Sequence, residues 1–237
     1  MPGPRPDAWI DGCAAAHRRL EAALAVIDDA IARRPSALPG WTVGHLLTHL
    51  ARNADSHLGM IDAIAAGGIA DQYPGGAAQR ERDIAAGAGR SAADLAADVV
   101  ASHHRLEAAW AALTEDAWAV GLGRRAAGPA PAPALVALRW REAELHAVDL
   151  ALDDRGGPGW SDLSDGYVDL EWGLTLAGLD ARLADGVAVL LSPGDRPSRL
   201  AGRGPSPVVV RDDVRSTLRW LTGRWERPDR PALSPWP

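Results

Sequence analysis

The sequence has no lysine, no phenylalanine and a single cysteine among its 237 residues. Without lysine, the chain cannot form a Schiff base or use an amine as a general base, so its 25 basic residues are all arginines. One cysteine excludes an intrachain disulfide and a thiolate-rich zinc site. Any metal that the chain binds must therefore be held by histidine and carboxylate side chains.

The sequence also has no excess of positive charge and no long apolar run. Its 25 basic and 31 acidic residues give a net charge of −6, and the arginines are spread along the chain, which argues against a nucleic-acid partner. No stretch approaches the length of a membrane span, and the first residues lack the pattern of a secretory signal. We therefore expect a cytoplasmic protein without nucleic-acid or membrane partners, acting as a monomer or a small homo-oligomer.

Hydrophobic periodicity indicates that the first two thirds of the chain are helical. Apolar residues recur at spacings of three and four, and Gly- and Pro-rich breaks separate these segments. The predicted helices span residues 7–34, 43–66, 91–115 and a fourth range that follows a Gly/Pro-rich connector at 119–132. The pattern predicts a four-helix bundle in residues 1–154.

The composition changes after Asp153, where short β-branched runs appear for the first time. The predicted elements of this part are a linker at 155–160, a helix at 163–179, strands at 186–192 and 207–211, and a last helix at 213–222. We therefore predict an α+β protein, with a small α/β domain in residues 158–237 following the bundle.

The segment RWREAELHAVDL carries the main chemical signal of the sequence. On a helix, Glu142 and His146 lie four residues apart and can converge on one ion. Asp149 and Arg139 fall on the same stripe and are candidates to orient metal ligands by hydrogen bonds, whereas Glu144 faces the other way. The alternative is a solvent-exposed Glu/His pair. A metal site would need a third ligand from another part of the chain.

The second predicted helix offers three candidates for that ligand. His45, His49 and His57 fall on one drifting stripe, at multiples of four residues. Spacing alone does not decide which of them points inward, and polar histidines on the bundle surface are the alternative. Cys13 and His17 lie instead on the apolar stripe of the first helix. We interpret Cys13 as a core residue and not as a nucleophile, and His17 as a core or interface histidine.

The chain resembles the mycothiol-dependent maleylpyruvate isomerase family in four segments. These are GWTVGHLLTHLARNADSH at 40–57, QYPGGAAQRERDIAAGAGR at 72–90, RWREAELHAVDL at 139–150 and WLTGR at 220–224. The motif HLARNAD is shared widely among mycothiol-dependent DinB-like proteins. The resemblance implies a DinB-like four-helix bundle with a divalent metal, usually zinc, and a smaller C-terminal α/β domain.

Carried over by motif, the resemblance implies that His49, Glu142 and His146 hold the metal, which leaves His45 as the competing histidine. It also implies that the thiol of mycothiol binds as thiolate at an open position of this site. The reaction would then be addition of the thiol to cis maleylpyruvate, rotation about the new single bond and elimination to trans fumarylpyruvate, a step of gentisate degradation.

The resemblance further implies a catalytic arginine in the C-terminal domain, which matches Arg224. Gly223 is placed to end the last helix, so Arg224 would project from a loop; a helix-end arginine that interacts with the helix dipole is the alternative. Arg80, which follows Tyr73, is a second candidate for contact with the dicarboxylate substrate. Two other functions remain open, a mycothiol S-transferase that releases the adduct and a non-catalytic metal-binding bundle.

Overall fold

The computed structural model describes residues 3–236 and confirms the predicted α+β fold class. The chain divides into two compact units, one ending at Gly159 and the other beginning at Trp160. This division falls inside the linker expected at 155–160, so the first unit extends slightly past the predicted end of the bundle. No helix in the described part of the chain combines the length and the apolar character needed to cross a membrane.

The first unit is a helical bundle with a small hairpin. Its elements are α1 (Asp7–Leu24), α2 (Asp29–Ala32), α3 (Val43–Ala65), α4 (Gly76–Gly87), α5 (Ala92–Ala112), α6 (Glu115–Val120), β1 (Leu122–Arg125), β2 (Gly128–Pro131) and α7 (Ala132–Asp149). The long helices α1, α3, α5 and α7 form the bundle, and each packs on two of the other three. Fully buried leucines fill the space between them, among them Leu20, Leu46, Leu50, Leu95 and Leu150. Each such burial stabilises the bundle by about 1.5–3 kcal/mol.

The first predicted helix is shorter than its apolar pattern indicated. The prediction of one helix over 7–34 was wrong, because α1 ends at Leu24 and a new short helix begins after Asp28. Asp28 Oδ1 accepts a hydrogen bond from the Ile31 backbone N–H at 2.8 Å and so caps α2. The apolar stripe continues through this break, since Ile31 is buried with the core of the bundle.

Two segments that the sequence analysis treated as irregular are structured. The connector at 119–132 contains the end of α6 and an antiparallel hairpin of β1 and β2, in which Gly128 adopts a φ of +108°. The region after Tyr73 forms α4, whose Ile84 is buried. Both elements lie next to α3, and both carry arginines that bear on the candidate site.

The second unit combines a small sheet with two helices. Its elements are α8 (Asp165–Arg182), β3 (Ala188–Leu191), β4 (Arg199–Gly202), β5 (Val208–Val210) and α9 (Val214–Leu221). The sheet order is β4–β3–β5, with β3 antiparallel to β4 and parallel to β5. Strand β4 was not predicted from the sequence, because Ala201 is its only buried residue and its apolar residues do not alternate. Leu179, Val189 and Leu221 belong to the core of this unit.

Candidate metal centre

The start of α3 separates the two competing histidines. Thr42 Oγ1 accepts a hydrogen bond from the His45 backbone N–H, and His45 Nδ1 accepts one from the Thr42 backbone N–H, both at 3.3 Å. This reciprocal capping box holds the His45 ring at the helix start. One turn later, His49 is 3% exposed and directs its ring at α7. Helix capping therefore occupies His45 and leaves His49 for the site.

Glu142 joins His49 to the second histidine of the site. Glu142 Oε2 lies 2.8 Å from His49 Nε2 and 3.2 Å from His146 Nε2, one turn further along α7. One possible ligand atom of each residue lies within 4.8 Å of the others, and residues 3–236 contain no other such group of His, Cys, Asp or Glu. Two imidazole nitrogens and one carboxylate oxygen match the donor set of catalytic zinc sites. This triad, His49, Glu142 and His146, can therefore bind a divalent ion.

Burial and hydrogen bonds set the charges of the triad. Burial lowers the pKa of His49 to about 4, although its bond to Glu142 opposes that shift. Burial alone would raise the pKa of Glu142, but the hydrogen bonds from His146 and His49 hold it well below its usual range. Burial disfavours the protonated form of His146, as it does for His49. The hydrogen bonds of His146 to Asp149 and Glu142 nevertheless raise its pKa. At neutral pH, Glu142 is thus ionised and His49 is neutral, as metal ligands must be.

Asp149 orients the second histidine, as the sequence predicted. Its Oδ2 lies 2.9 Å from His146 Nδ1 and accepts the proton of that ring nitrogen. His146 Nε2 is then the nitrogen directed at Glu142. A carboxylate behind a metal-binding imidazole fixes both the orientation and the tautomer of the ring.

Arg139 does not have the orienting role that its position suggested, and that prediction was wrong. Its guanidinium is fully buried inside the bundle and donates to Asn53 Oδ1 at 2.7 Å, to Leu50 O at 3.1 Å and to His17 Nε2 at 3.2 Å. The His17 ring stacks on that of His103 with 3.9 Å between centroids. We call His17, Asn53, His103 and Arg139 the core network, which the sequence analysis missed.

Glu144 and Cys13 lie apart from the triad, as expected. Glu144 Oε1 accepts hydrogen bonds from Arg19 at 2.5 Å and from Trp140 Nε1 at 3.0 Å. Cys13 is completely buried, and that burial raises the pKa of its thiol far above the usual value. The prediction that Cys13 is a core residue is therefore confirmed, and the prediction that it is not a nucleophile stays a prediction.

Arg80, on α4, brings a guanidinium against the triad. Its Nη2 lies 3.2 Å from His49 Nδ1, and its Cζ lies 5.8 Å from the ring centroids of both Trp41 and Tyr73. Because a guanidinium can only donate, His49 Nδ1 accepts this bond and His49 Nε2 carries the ring proton. An ion at Nε2 requires the opposite tautomer. Ion binding and the contact of Arg80 with His49 therefore exclude each other.

Arg224 lies in the second unit, directly after Gly223, whose φ is +76°. The glycine ends α9, and Arg224 follows in a loop, as the sequence analysis expected. Arg224 Nη1 donates to Thr222 O at 2.9 Å, and its Cζ lies 4.9 Å from the ring centroid of Trp236. The catalytic role of Arg224 stays a prediction.

Comparison with known proteins identifies relatives of this fold. Residues 13–151 match the model of a family described as the mycothiol maleylpyruvate isomerase N-terminal domain. Two crystal structures of the mycothiol-dependent maleylpyruvate isomerase, one of a histidine-to-alanine mutant, are similar to the chain at 24% identity and a TM-score of 0.84, with 95% of each chain covered. At this identity the likeness shows the fold. No curated protein matches the sequence.

Proposed function

Because the chain belongs to the family of the mycothiol maleylpyruvate isomerase N-terminal domain, we propose that it is a mycothiol-dependent cis-trans isomerase that converts maleylpyruvate to fumarylpyruvate. The observation that carries this proposal is the convergence of His49, Glu142 and His146 inside the matched bundle. The ligands of the protein are then a divalent ion, mycothiol and a small dicarboxylate.

The triad supplies the residues that would hold the ion, and zinc suits a set of two imidazoles and one carboxylate. When bound, the ion favours the thiolate form of a thiol and so makes mycothiol nucleophilic at neutral pH. Asp149 keeps His146 in the tautomer that ligation needs. The Trp41 ring lies edge-on to His49, 5.4 Å between centroids, and shields one side of that imidazole from water.

The reaction needs no nucleophile from the chain itself. The thiolate sulfur adds to one carbon of the cis double bond, and the electron pair of that bond moves into the conjugated carbonyl as an enolate. Rotation about the resulting single bond is followed by collapse of the enolate, which re-forms the double bond in the trans geometry and expels the thiolate. Mycothiol is regenerated, and no electron or proton is consumed.

The substrate carboxylates and the enolate need fixed positive charge, and in this chain that charge comes from arginine. We assign the enolate charge to Arg224 and a substrate carboxylate to Arg80, since a planar guanidinium binds such oxygens through charge-assisted hydrogen bonds. The position of Arg80 beside His49 supports its assignment. The loop position of Arg224 after Gly223 supports the other.

The direct test is turnover by the purified protein. Zinc-loaded protein is mixed with mycothiol and maleylpyruvate, and isomerisation is followed by the change in absorbance. We expect turnover to require both the ion and the thiol. Activity that does not depend on mycothiol would overturn the mechanism.

The role of Arg224 is tested by Arg224→Lys, which keeps the positive charge and loses the planar fork. We expect kcat to fall by at least about tenfold, which corresponds to the loss of one charge-assisted hydrogen bond, while the zinc content is retained. If Arg224→Lys has the same kinetics as the wild type, Arg224 has only a structural role at the end of α9.

A mycothiol S-transferase is the second candidate, because the family match ends at residue 151 and so covers the bundle but not the second unit. In such an enzyme the thiol adduct of another electrophile is released and does not collapse to an isomer. Mass spectrometry of the products separates the two functions. A stable mycothiol adduct would favour the transferase, and an isomer of unchanged mass would favour the isomerase.

A further inference from the structure

The hairpin of β1 and β2 carries two adjacent arginines in different surroundings. Arg124 is exposed, and its Nη1 donates to Asp71 Oδ1 at 2.9 Å. Arg125 is half-buried, yet its guanidinium makes no hydrogen bond or ion pair within residues 3–236. A partly desolvated cation without a partner is unfavourable. The surroundings of Arg125 therefore suit an anion from outside the chain.

Arg125 lies next to the residues that surround the triad. The Gln72 backbone N–H donates to Arg124 O at 2.8 Å, which brings Tyr73 alongside the end of β1. Burial, followed by the charge of Arg141, lowers the pKa of Arg125, and the Glu142 carboxylate opposes that shift. Glu142 thus acts on Arg125 through its field, while its own hydrogen bonds go to the two histidines of the triad.

Arg80 is a second arginine of this neighbourhood without a carboxylate partner. Its Cζ lies 5.8 Å from the ring centroid of Tyr73, and its hydrogen bond goes to a histidine. Acidic residues are not scarce, since the chain has 31 of them for 25 basic residues. Arg80, beside His49, and Arg125, at the end of β1, therefore have no acidic hydrogen-bond or ion-pair partner among the described residues.

We propose that Arg125, together with Arg80, binds the two carboxylates of a dianionic substrate beside the triad. This inference rests on the proposed function and names the residue that selects a dicarboxylate. Each guanidinium can hold one carboxylate by a planar pair of hydrogen bonds. A monocarboxylate would leave one of the two cations unpaired, so the pair discriminates against it.

The test measures binding of maleate to the zinc-loaded full-length protein by titration calorimetry. Arg125→Gln should weaken maleate binding by at least about tenfold, whereas the matched control Arg124→Gln should change it by less than about twofold. Arg125→Lys should give an intermediate loss, because it keeps the charge without the fork. Acrylate, with one carboxylate, should bind wild-type protein at least about tenfold more weakly than maleate. Circular dichroism and zinc analysis establish that each variant is folded and loaded.

Equal maleate affinities in Arg125→Gln and Arg124→Gln would overturn the inference, as would a wild-type protein that does not bind maleate. Turnover assays separate this failure from that of the proposed function. Isomerisation with an unchanged KM in Arg125→Gln would keep the reaction and reject the role of Arg125. Maleate binding that depends on Arg125, without isomerisation by the wild type, would keep the anion site and reject the reaction. If Arg125→Gln does not fold, the comparison of Arg125→Lys with Arg124→Gln decides.

Discussion

Two clusters of buried histidines share one bundle and differ in how charged groups are arranged around the rings. In the triad, a carboxylate lies between two imidazoles, with Glu142 Oε2 within 3.2 Å of both Nε2 atoms. In the core network, the His17 and His103 rings stack on each other. Arg139 Nε donates to His17 Nε2 at 3.2 Å, and Glu107 Oε1 lies 2.7 Å from His17 Nδ1. Both clusters are built from α3 and α7 together with neighbouring helices, so the helical scaffold alone does not distinguish them.

The charged neighbour decides what each cluster can bind. Hydrogen bonds to Asp149 and Glu142 raise the pKa of His146 against its burial, so these two carboxylates favour a positive charge beside that ring. Burial, followed by the charge of Arg139, holds the pKa of His17 well below its ordinary value, so a second positive charge is excluded from the core network. A buried histidine cluster is therefore a candidate ion site when one carboxylate oxygen lies between two ring nitrogens, and a neutral structural network when the rings stack on each other beside a fully buried guanidinium.

The largest expected effect is the loss of the ion from the triad. His49→Ala should abolish both bound zinc and turnover, because two ligands remain and a catalytic site needs three from the protein. His45→Ala is the matched control on the same helix. It should keep the zinc and lose about 1 kcal/mol of stability through the weakened cap. Elemental analysis and the isomerase assay provide both measurements.

Full zinc occupancy in His49→Ala would show that another histidine is the ligand. The triad would then not be the ion site of the bundle. A similar loss of zinc in His45→Ala would contradict the assignment of that ring to the cap of α3. Glu144→Ala should also keep its zinc, because the Glu144 side chain is bonded to Arg19 and Trp140.

The second prediction concerns pH and the neutral histidines of the bundle. Burial lowers the pKa of His57 to about 3, and it also lowers those of His17 and His103. At pH 7 these rings are neutral in both the folded and the unfolded chain. Below about pH 6.5 these histidines bind protons in the unfolded chain but stay neutral in the folded bundle. The free energy of unfolding must therefore fall as the pH is lowered. The loss at pH 5 is up to about 2 kcal/mol for each histidine.

His103→Phe isolates one of these contributions. Neither ring nitrogen of His103 has a hydrogen-bond partner within the described residues, and the ring stacks on His17. Phenylalanine keeps the stacking, so stability at pH 7 should change by less than about 1.5 kcal/mol. The decrease between pH 7 and pH 5, measured by urea unfolding, should become smaller. An unchanged pH dependence would mean that His103 is protonated inside the bundle.

The smallest expected effect is that of Cys13→Ser. The thiol is buried beside the core network, with Sγ 3.7 Å from His17 Nε2, and it does not contact the triad. Replacing it by a hydroxyl should cost about 1–2 kcal/mol of stability, because a more polar group is buried. Zinc content and turnover should stay at wild-type values. Loss of turnover in a folded, zinc-loaded variant would show that Cys13 takes part in the reaction. The surroundings of the core network would then have a catalytic role as well as a structural one.

The long helices and the Glu142/His146 pair could be predicted because both depend on local periodicity. The choice among the histidines of α3 could not be made from spacing. Thr42 and His45 form a capping box, but the usual partner of threonine in that motif is glutamate or glutamine, so the signal is easily overlooked. Arg139 lies one turn before Glu142 and shares its stripe, yet its long side chain reaches Asn53 in the core. Stripe position does not determine the contacts of so long a side chain.

The surroundings of the site were harder to predict, because they come from elements without a strong pattern. Arg80 lies on α4, a helix with one buried residue, Ile84, and so with almost no apolar stripe. Arg125 lies on a hairpin of two four-residue strands inside a Gly/Pro-rich segment. The position of Arg80 beside His49, and of β1 beside the segment that carries Tyr73, depends on contacts between residues distant in sequence. Neither composition nor spacing records such contacts.

The contact between Arg80 and His49 has a thermodynamic consequence for the order and strength of binding. An anion that draws the guanidinium away from His49 Nδ1 removes the hydrogen bond that favours a proton on Nε2. The lone pair of Nε2 then becomes available, and the affinity of the site for an ion rises. Linkage then requires the ion to raise the affinity for the anion by the same factor. In the proposed enzyme, a single arginine thus makes two ligands of opposite charge cooperative, with each acting as an effector of the other.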